Sequence, residues 1–303
     1  MVLLLLLACT GGADSAAPDS ASSACWDDLP AGEVTTFADG FAAGTEGVAF
    51  SGGALYVSFP TGVAQLGPDG VQLASTALDH ALGLAPAAGG VLVADPGEFT
   101  LDGSGDDGHL RFVDAAGAVT DLAAGMPNPN FVTATPWGDV LVSDDTGDVI
   151  YAVDSAGSVR AWLDGVPSPN GMAFSPAGDA LYVVSTFTPD PPLWRVPVGV
   201  DGSTGTPEVL TTFATASAPD GVAVDVAGNA WVALNLAGEL VRVNPDSGEA
   251  TTFVTDMPTP ASLAFGAAAD FDPCSLYVSS LYGDTVSRVS TGTAGLTLLD
   301  ADP

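Results

Sequence analysis

The sequence predicts an all-β chain folded as a six-bladed β-propeller with four-stranded antiparallel blades. Six apolar segments open at one register: Glu46-Gly-Val-Ala-Phe, Leu82-Gly-Leu-Ala-Pro, Asn130-Phe-Val-Thr-Ala, Asn170-Gly-Met-Ala-Phe, Asp220-Gly-Val-Ala-Val and Ala261-Ser-Leu-Ala-Phe. Their lead residues are 36, 48, 40, 50 and 41 positions apart, a period that marks repeated blades of short strands. Each segment is followed by a Gly-containing turn and a second β-branched or aromatic run, such as Leu55-Tyr-Val-Ser-Phe, Val140-Leu-Val-Ser-Asp and Leu276-Tyr-Val-Ser-Ser.

A third run follows, as in Val149-Ile-Tyr-Ala-Val. A fourth closes the unit, as in Val159-Arg-Ala-Trp-Leu or Ala250-Thr-Thr-Phe-Val. Turn residues separate all of them, and no stretch keeps a helical period with caps. Two segments compete to complete the last blade: Glu33-Val-Thr-Thr-Phe37 and Leu296-Thr-Leu-Leu.

The chain has 303 residues, 37 of them acidic, with five basic residues and a formal charge of −32. All five are Arg. Such a chain lacks the basic side chains that phosphates require, so nucleic acid is excluded as a partner. An anionic lipid surface is disfavoured for the same reason. Much of the acid sits in turns such as Pro68-Asp-Gly, where Asp supports the backbone. A monomer is expected.

Met1 to Ala8 is nearly all apolar and ends in Leu6-Leu7-Ala8-Cys9. This resembles a bacterial lipobox and is too short to span a bilayer as a helix. Residues 1–8 are therefore expected to be a signal peptide, 9–29 a lipidated N-terminus and flexible tether, and 30–303 the propeller. An exported cell-envelope lipoprotein, in the periplasm or at the cell surface, follows from that reading. It would touch the membrane only through lipid on Cys9. Cys25 and Cys274 remain as an even pair in an oxidising compartment. They are expected to form a disulfide that staples the ring; two buried free thiols are the alternative.

The innermost strands of a propeller surround one channel, so the six lead residues are expected to ring one of its mouths. Glu46, Asn130, Asn170 and Asp220 would bring together two carboxylates and two amides, an oxygen set for a hard divalent cation. Calcium fits best, with magnesium or manganese as alternatives. No His or Cys stands at these positions, which argues against zinc and copper. A plainer reading is that Pro-Asn-Gly and Pro-Asp-Gly are turn signals. It leaves Glu46 and Asn130-Phe131 unexplained. Asp95 and Asp144, at the ends of second strands, also fall on this face.

The chain resembles the gluconolactonase/regucalcin-like (SMP-30/gluconolactonase/LRE-like) propellers from about Phe41 to Asp300. The resemblance rests on Thr45-Glu46-Gly47, Pro169-Asn170-Gly171-Met172-Ala173-Phe174 and Pro219-Asp220-Gly221-Val222-Ala223-Val224 with Gly228-Asn229-Ala230-Trp231. It implies that Glu46, Asn170 and Asp220 bind one divalent metal, that Asp220 is also the general base, and that Asn130 contacts substrate or metal-bound water. Gly47-Val48 stands where the family has Gly-Pro, and Phe131 where it has Asp. The implied function is a metal-dependent hydrolase of a lactone or related ester. The alternative is a non-catalytic propeller lipoprotein that recognises a ligand or protein through its loop face.

Overall fold

The computed structural model describes residues 25–41, 44–100 and 104–303. Twenty-four strands form six four-stranded antiparallel sheets, with no helix among the described residues. The innermost strands are Val48–Ser51, Leu84–Ala87, Pro129–Ala134, Pro169–Phe174, Pro219–Val224 and Pro260–Phe265, taken as blades 1 to 6. The six expected units are the six blades.

Burial explains the two kinds of strand. The first two strands of each blade are packed on both faces, so they read as continuous apolar runs; Pro169–Phe174 and Ala180–Ser185 are buried at every position. The fourth strands lie at the rim and carry polar residues, as in Gln72–Ala77 and Ala250–Val254. Six apolar clusters form the core, one at each interface between neighbouring blades. Phe131, Leu141 and Ile150 of blade 3 meet Met172, Phe174 and Val183 of blade 4. Phe50, Leu55 and Val57 of blade 1 meet Phe271 and Tyr277 of blade 6. No second core is needed, because each blade buries its faces against its neighbours.

The N-terminal strand closes the ring. Val34–Ala38 pairs antiparallel with Val286–Ser290 and forms the outer strand of blade 6, with Val34 opposite Val289 and Thr36 opposite Ser287. The chain before it is bound to the same blade. Cys25 is disulfide-bonded to Cys274 across 249 residues of sequence. Trp26 N–H donates to Asp272 Oδ1 at 3.1 Å. Arg288 reaches both Asp28, at 2.6 Å, and Asp272, at 2.9 Å, with its guanidinium 5.1 Å from the Trp26 ring centre. Residues 25–29, the end of the expected tether, are thus anchored. Cys9 and the expected signal peptide lie outside the described residues.

The C-terminal segment, which competed for the closing position, crosses beneath the ring instead. Gly295 bridges Asp225 and Leu296 N–H bonds Val224 O in blade 5, while Ala301 bridges Ala87 in blade 2. These partners are in first-to-second-strand hairpins, on the face opposite the lead residues. Blades 2 and 5 face each other across a six-membered ring, so residues 295–301 traverse the far end of the channel.

Candidate functional site

A local backbone irregularity sets the lead residues. The pairing of first and second strands slips between Pro129 and Val132, Pro169 and Met172, Pro219 and Val222, and Pro260 and Leu263. Asn130, Asn170, Asp220 and Ala261 each sit inside the same bulge. Bulges re-aim side chains at strand ends. Two residues before four of the six lead positions, the backbone turns left-handed at non-glycine residues: His80 (φ 61°), Ser168 (50°), Ala218 (50°) and Thr259 (38°). Strain of this kind persists where surrounding contacts over-determine the backbone.

The glycine after a lead residue has a packing reason beyond turn chemistry. A Cβ on Gly47 would lie 2.4 Å from Leu82 O, and one on Gly171 would lie 2.2 Å from Asp220 O. Glycine lets the heads of neighbouring innermost strands touch. Serines on second strands tie the same heads together. Ser58 Oγ accepts from Gly47 N–H at 2.7 Å and donates to Leu82 O at 2.5 Å; Ser279 Oγ donates to Glu46 O and accepts from Ser262 N–H.

Glu46, Asn130, Asn170 and Asp220 therefore occupy equivalent places at the heads of blades 1, 3, 4 and 5. Burial raises the Glu46 carboxyl well above the usual range, and the charges of Asp220 and Asp145 push it further. Burial pushes Asp220 up to about 7, with a hydrogen bond from Asn235 opposing it. Burial raises Asp145 to about 7, reinforced by Asp220 and Asp144. Three carboxylates from blades 1, 3 and 5 thus share one field. Asn170 heads the strand between those of Asn130 and Asp220.

Asp145 and Asn235 were not singled out from the sequence. Each is one residue past the end of a second strand and 15 residues after its blade's lead residue. Asn130 Nδ2 donates to Asp145 Oδ2 at 3.0 Å, and Asn235 Nδ2 donates to Asp220 Oδ2 at 3.4 Å. That shared spacing from a lead Asn or Asp is the signal that would have found them. The strand-end acids that were named are engaged elsewhere. Asp95 pairs with Arg111 at 3.0 Å, and Asp144 accepts from Thr146 in a local turn.

The donor set can be tested against a cation. Glu46 Oε2, Asp145 Oδ1 and Asn170 Oδ1 are sealed from solvent and have no hydrogen-bond partner. Orphaned acceptors of this kind are costly, and a divalent ion satisfies several at once. Among the described residues no three His, Cys, Asp or Glu side chains group as metal ligands. The expected set does not require such a group, since two of its four members are amides. All four offer hard oxygen, which suits calcium, magnesium or manganese.

Fold and site together define a propeller with an oxygen-lined, acidic mouth at one end of its channel. The chain belongs to the SMP-30/Gluconolactonase/LRE-like family, whose profile matches residues 123–282, more than half of the sequence. A 95-residue stretch is 36% identical to 6-deoxy-6-sulfogluconolactonase of Pseudomonas putida, covering 31% of this chain and 32% of that protein. The match thus spans about a third of that curated relative's length. The fold is similar to a gluconolactonase from Xanthomonas campestris (TM-score 0.69, 18% identity, 89% of this chain and 92% of that one). It is equally similar to the calcium-binding protein regucalcin from Agrobacterium tumefaciens strain C58 (TM-score 0.69, 21% identity, 88% and 96%). At these identities the two structures speak to fold alone.

Proposed function

We propose that this chain is a divalent-metal-dependent hydrolase of a lactone or related ester, exported and held at the membrane by lipid on Cys9. The observation that carries the catalytic reading is that Glu46 Oε2, Asp145 Oδ1 and Asn170 Oδ1, all at the lead-residue end of the ring, are buried without a hydrogen-bond partner. The family membership and the lactonase names among the relatives support the substrate class. The Leu6-Leu7-Ala8-Cys9 sequence supports the anchor.

Glu46, Asn170 and Asp220 would hold the cation. When bound, it would supply Lewis-acid polarisation of the lactone carbonyl. Asp220 takes a proton from water as that water adds to the carbonyl carbon. The ring C–O bond then breaks, and Asp220 returns the proton to the leaving oxygen. Lactone and water give one hydroxy acid. Asn235 holds the Asp220 carboxylate through Oδ2, and Asn130, fixed by Asp145, orients water or substrate. A lactone panel assayed with and without chelator, in wild type and Asp220→Ala, tests this. Chelation and the substitution should each lower kcat/KM by roughly 10³-fold. Activity indifferent to both would end the mechanism.

A further inference from the structure

The rim of the mouth is chemically two-sided. Among the described residues, four large apolar side chains stand exposed in loops between second and third strands, all on the face of the lead residues: Phe99 (44% exposed), Phe187 (66%), Leu236 (63%) and Tyr282 (77%). The last three stand at equivalent places on the consecutive blades 4, 5 and 6, an arc of the rim. The corresponding loop of blade 3 carries Asp145 and Asp148 instead.

The arc is held in place by its backbone. Phe187 N–H donates to Ser168 Oγ at 2.8 Å, Leu236 N–H to Ser217 O at 3.1 Å, and Tyr282 N–H to Thr259 Oγ1 at 3.1 Å. Each acceptor is in the loop leading into an innermost strand. Two of the three flank Asp220. Leu236 follows Asn235, whose amide bonds the Asp220 carboxylate, and Phe187 follows Thr186, whose hydroxyl donates to Pro219 O at 2.6 Å. Exposed apolar groups grouped beside a polar centre mark a binding surface.

Charge narrows the choice. The five Arg residues, at 111, 160, 195, 242 and 288, all lie on third or fourth strands, and the loops of this face hold no Arg or Lys; His80, His109 and Arg111 line a cavity over blade 2, across the ring from the arc. Arg111, Arg160 and Arg288 are each paired with Asp. Beside the arc, a sulfonate, phosphate or carboxylate would meet the carboxylates of Asp145, Asp220 and Glu46, while the Arg111 guanidinium over blade 2 is already held by Asp95 and Asp121.

Resting on the lactone-hydrolase reading, we propose that the substrate is an uncharged lactone with an apolar substituent seated against Phe187 and Leu236, and that anionic lactones are rejected. The two side chains act as specificity residues. They take no part in the hydrolytic step.

The experiment compares an unsubstituted lactone, its alkyl-substituted homologues and a sulfonated sugar lactone, in wild type and in the Phe187→Ser/Leu236→Ser double variant. Both positions are exposed, so folding is not at stake. In wild type kcat/KM should climb by about threefold per added methylene over the reach of the arc, with the sulfonated substrate poorest. In the double variant the climb should flatten while the unsubstituted lactone is turned over as before. Indifference to chain length, preference for the sulfonated substrate, or an equal loss on every substrate would each overturn the proposal. Binding of alkyl-substituted lactams, which resist hydrolysis, gives a readout independent of turnover. Affinity that rises with the alkyl tail and loses that rise in the double variant supports the arc; tail-independent affinity overturns it. Absence of turnover on all lactones would sink the hydrolase reading, and the lactam series would still decide this one.

Discussion

Asn130 donates its side-chain amide to Asp145 Oδ2 at 3.0 Å, deep at the mouth of the channel. The contact fixes which way the amide faces. It also places a third carboxylate in the field of Glu46 and Asp220. Asp145 is thus both an orienting partner and a source of repulsion.

Replacing Asp145 with Asn separates these roles. In chelator-treated protein, loss of one of three clustered charges should raise the melting temperature. With cation present, the same change should weaken binding by about tenfold, since a nearby negative charge has been lost. Melting and titration calorimetry on one sample read both signs. A lower melting temperature with unchanged affinity would contradict the account.

The pH dependence of stability follows from the same cluster. Asp145 and Asp220 have folded values raised to about 7, and burial holds Glu46 well above its usual range, whereas unfolded carboxyls titrate at about 4. The folded state then binds more protons than the unfolded one between these limits, so stability falls as pH rises through the window. Chelator-treated protein should melt at a higher temperature at pH 5 than at pH 8. Saturating calcium should flatten that slope, because it holds the carboxylates ionised. A metal-free melting temperature that rises from pH 5 to 8 would refute the cluster.

Much of this architecture was legible in the sequence. The blade period survives because each blade repeats one packing problem, and the lead residues could be aligned by register alone. Other features were not legible. The bulges at Asn130, Asn170 and Asp220 are backbone events without a dedicated residue type. Asp145 and Asn235 sit past strand ends, where the apolar pattern stops. The contest between the two terminal strands was decided by contacts far apart in sequence: Cys25 with Cys274, and Asp28 with Arg288. The apolar arc was invisible because it is assembled from three loops.

Those same contacts make the N-terminal closure a testable unit. Burial alone would raise the Asp272 carboxyl, but hydrogen bonds from Ser275, Arg288 and the Trp26 and Cys274 N–H groups outweigh it and hold the group below its usual range. This contribution is present above the unfolded pKa and is lost as pH falls through the depressed folded value. Arg288→Ala leaves Asp272, almost fully buried, without its cation and should cost about 3 kcal/mol. Cys25→Ser with Cys274→Ser should cost about 2–5 kcal/mol. Both changes free the same segment, so the combined variant should lose less than the sum. Strict additivity in denaturant melts would show that the two contacts act separately.

The central claim is that Glu46, Asn170 and Asp220, brought from blades 1, 4 and 5, grip one divalent ion. Calorimetric titration of calcium into chelator-treated wild type and Asp220→Asn tests it most directly. One equivalent bound by wild type, with affinity reduced at least tenfold in the variant, is the predicted result. No binding by wild type, or equal binding by both proteins, would contradict it.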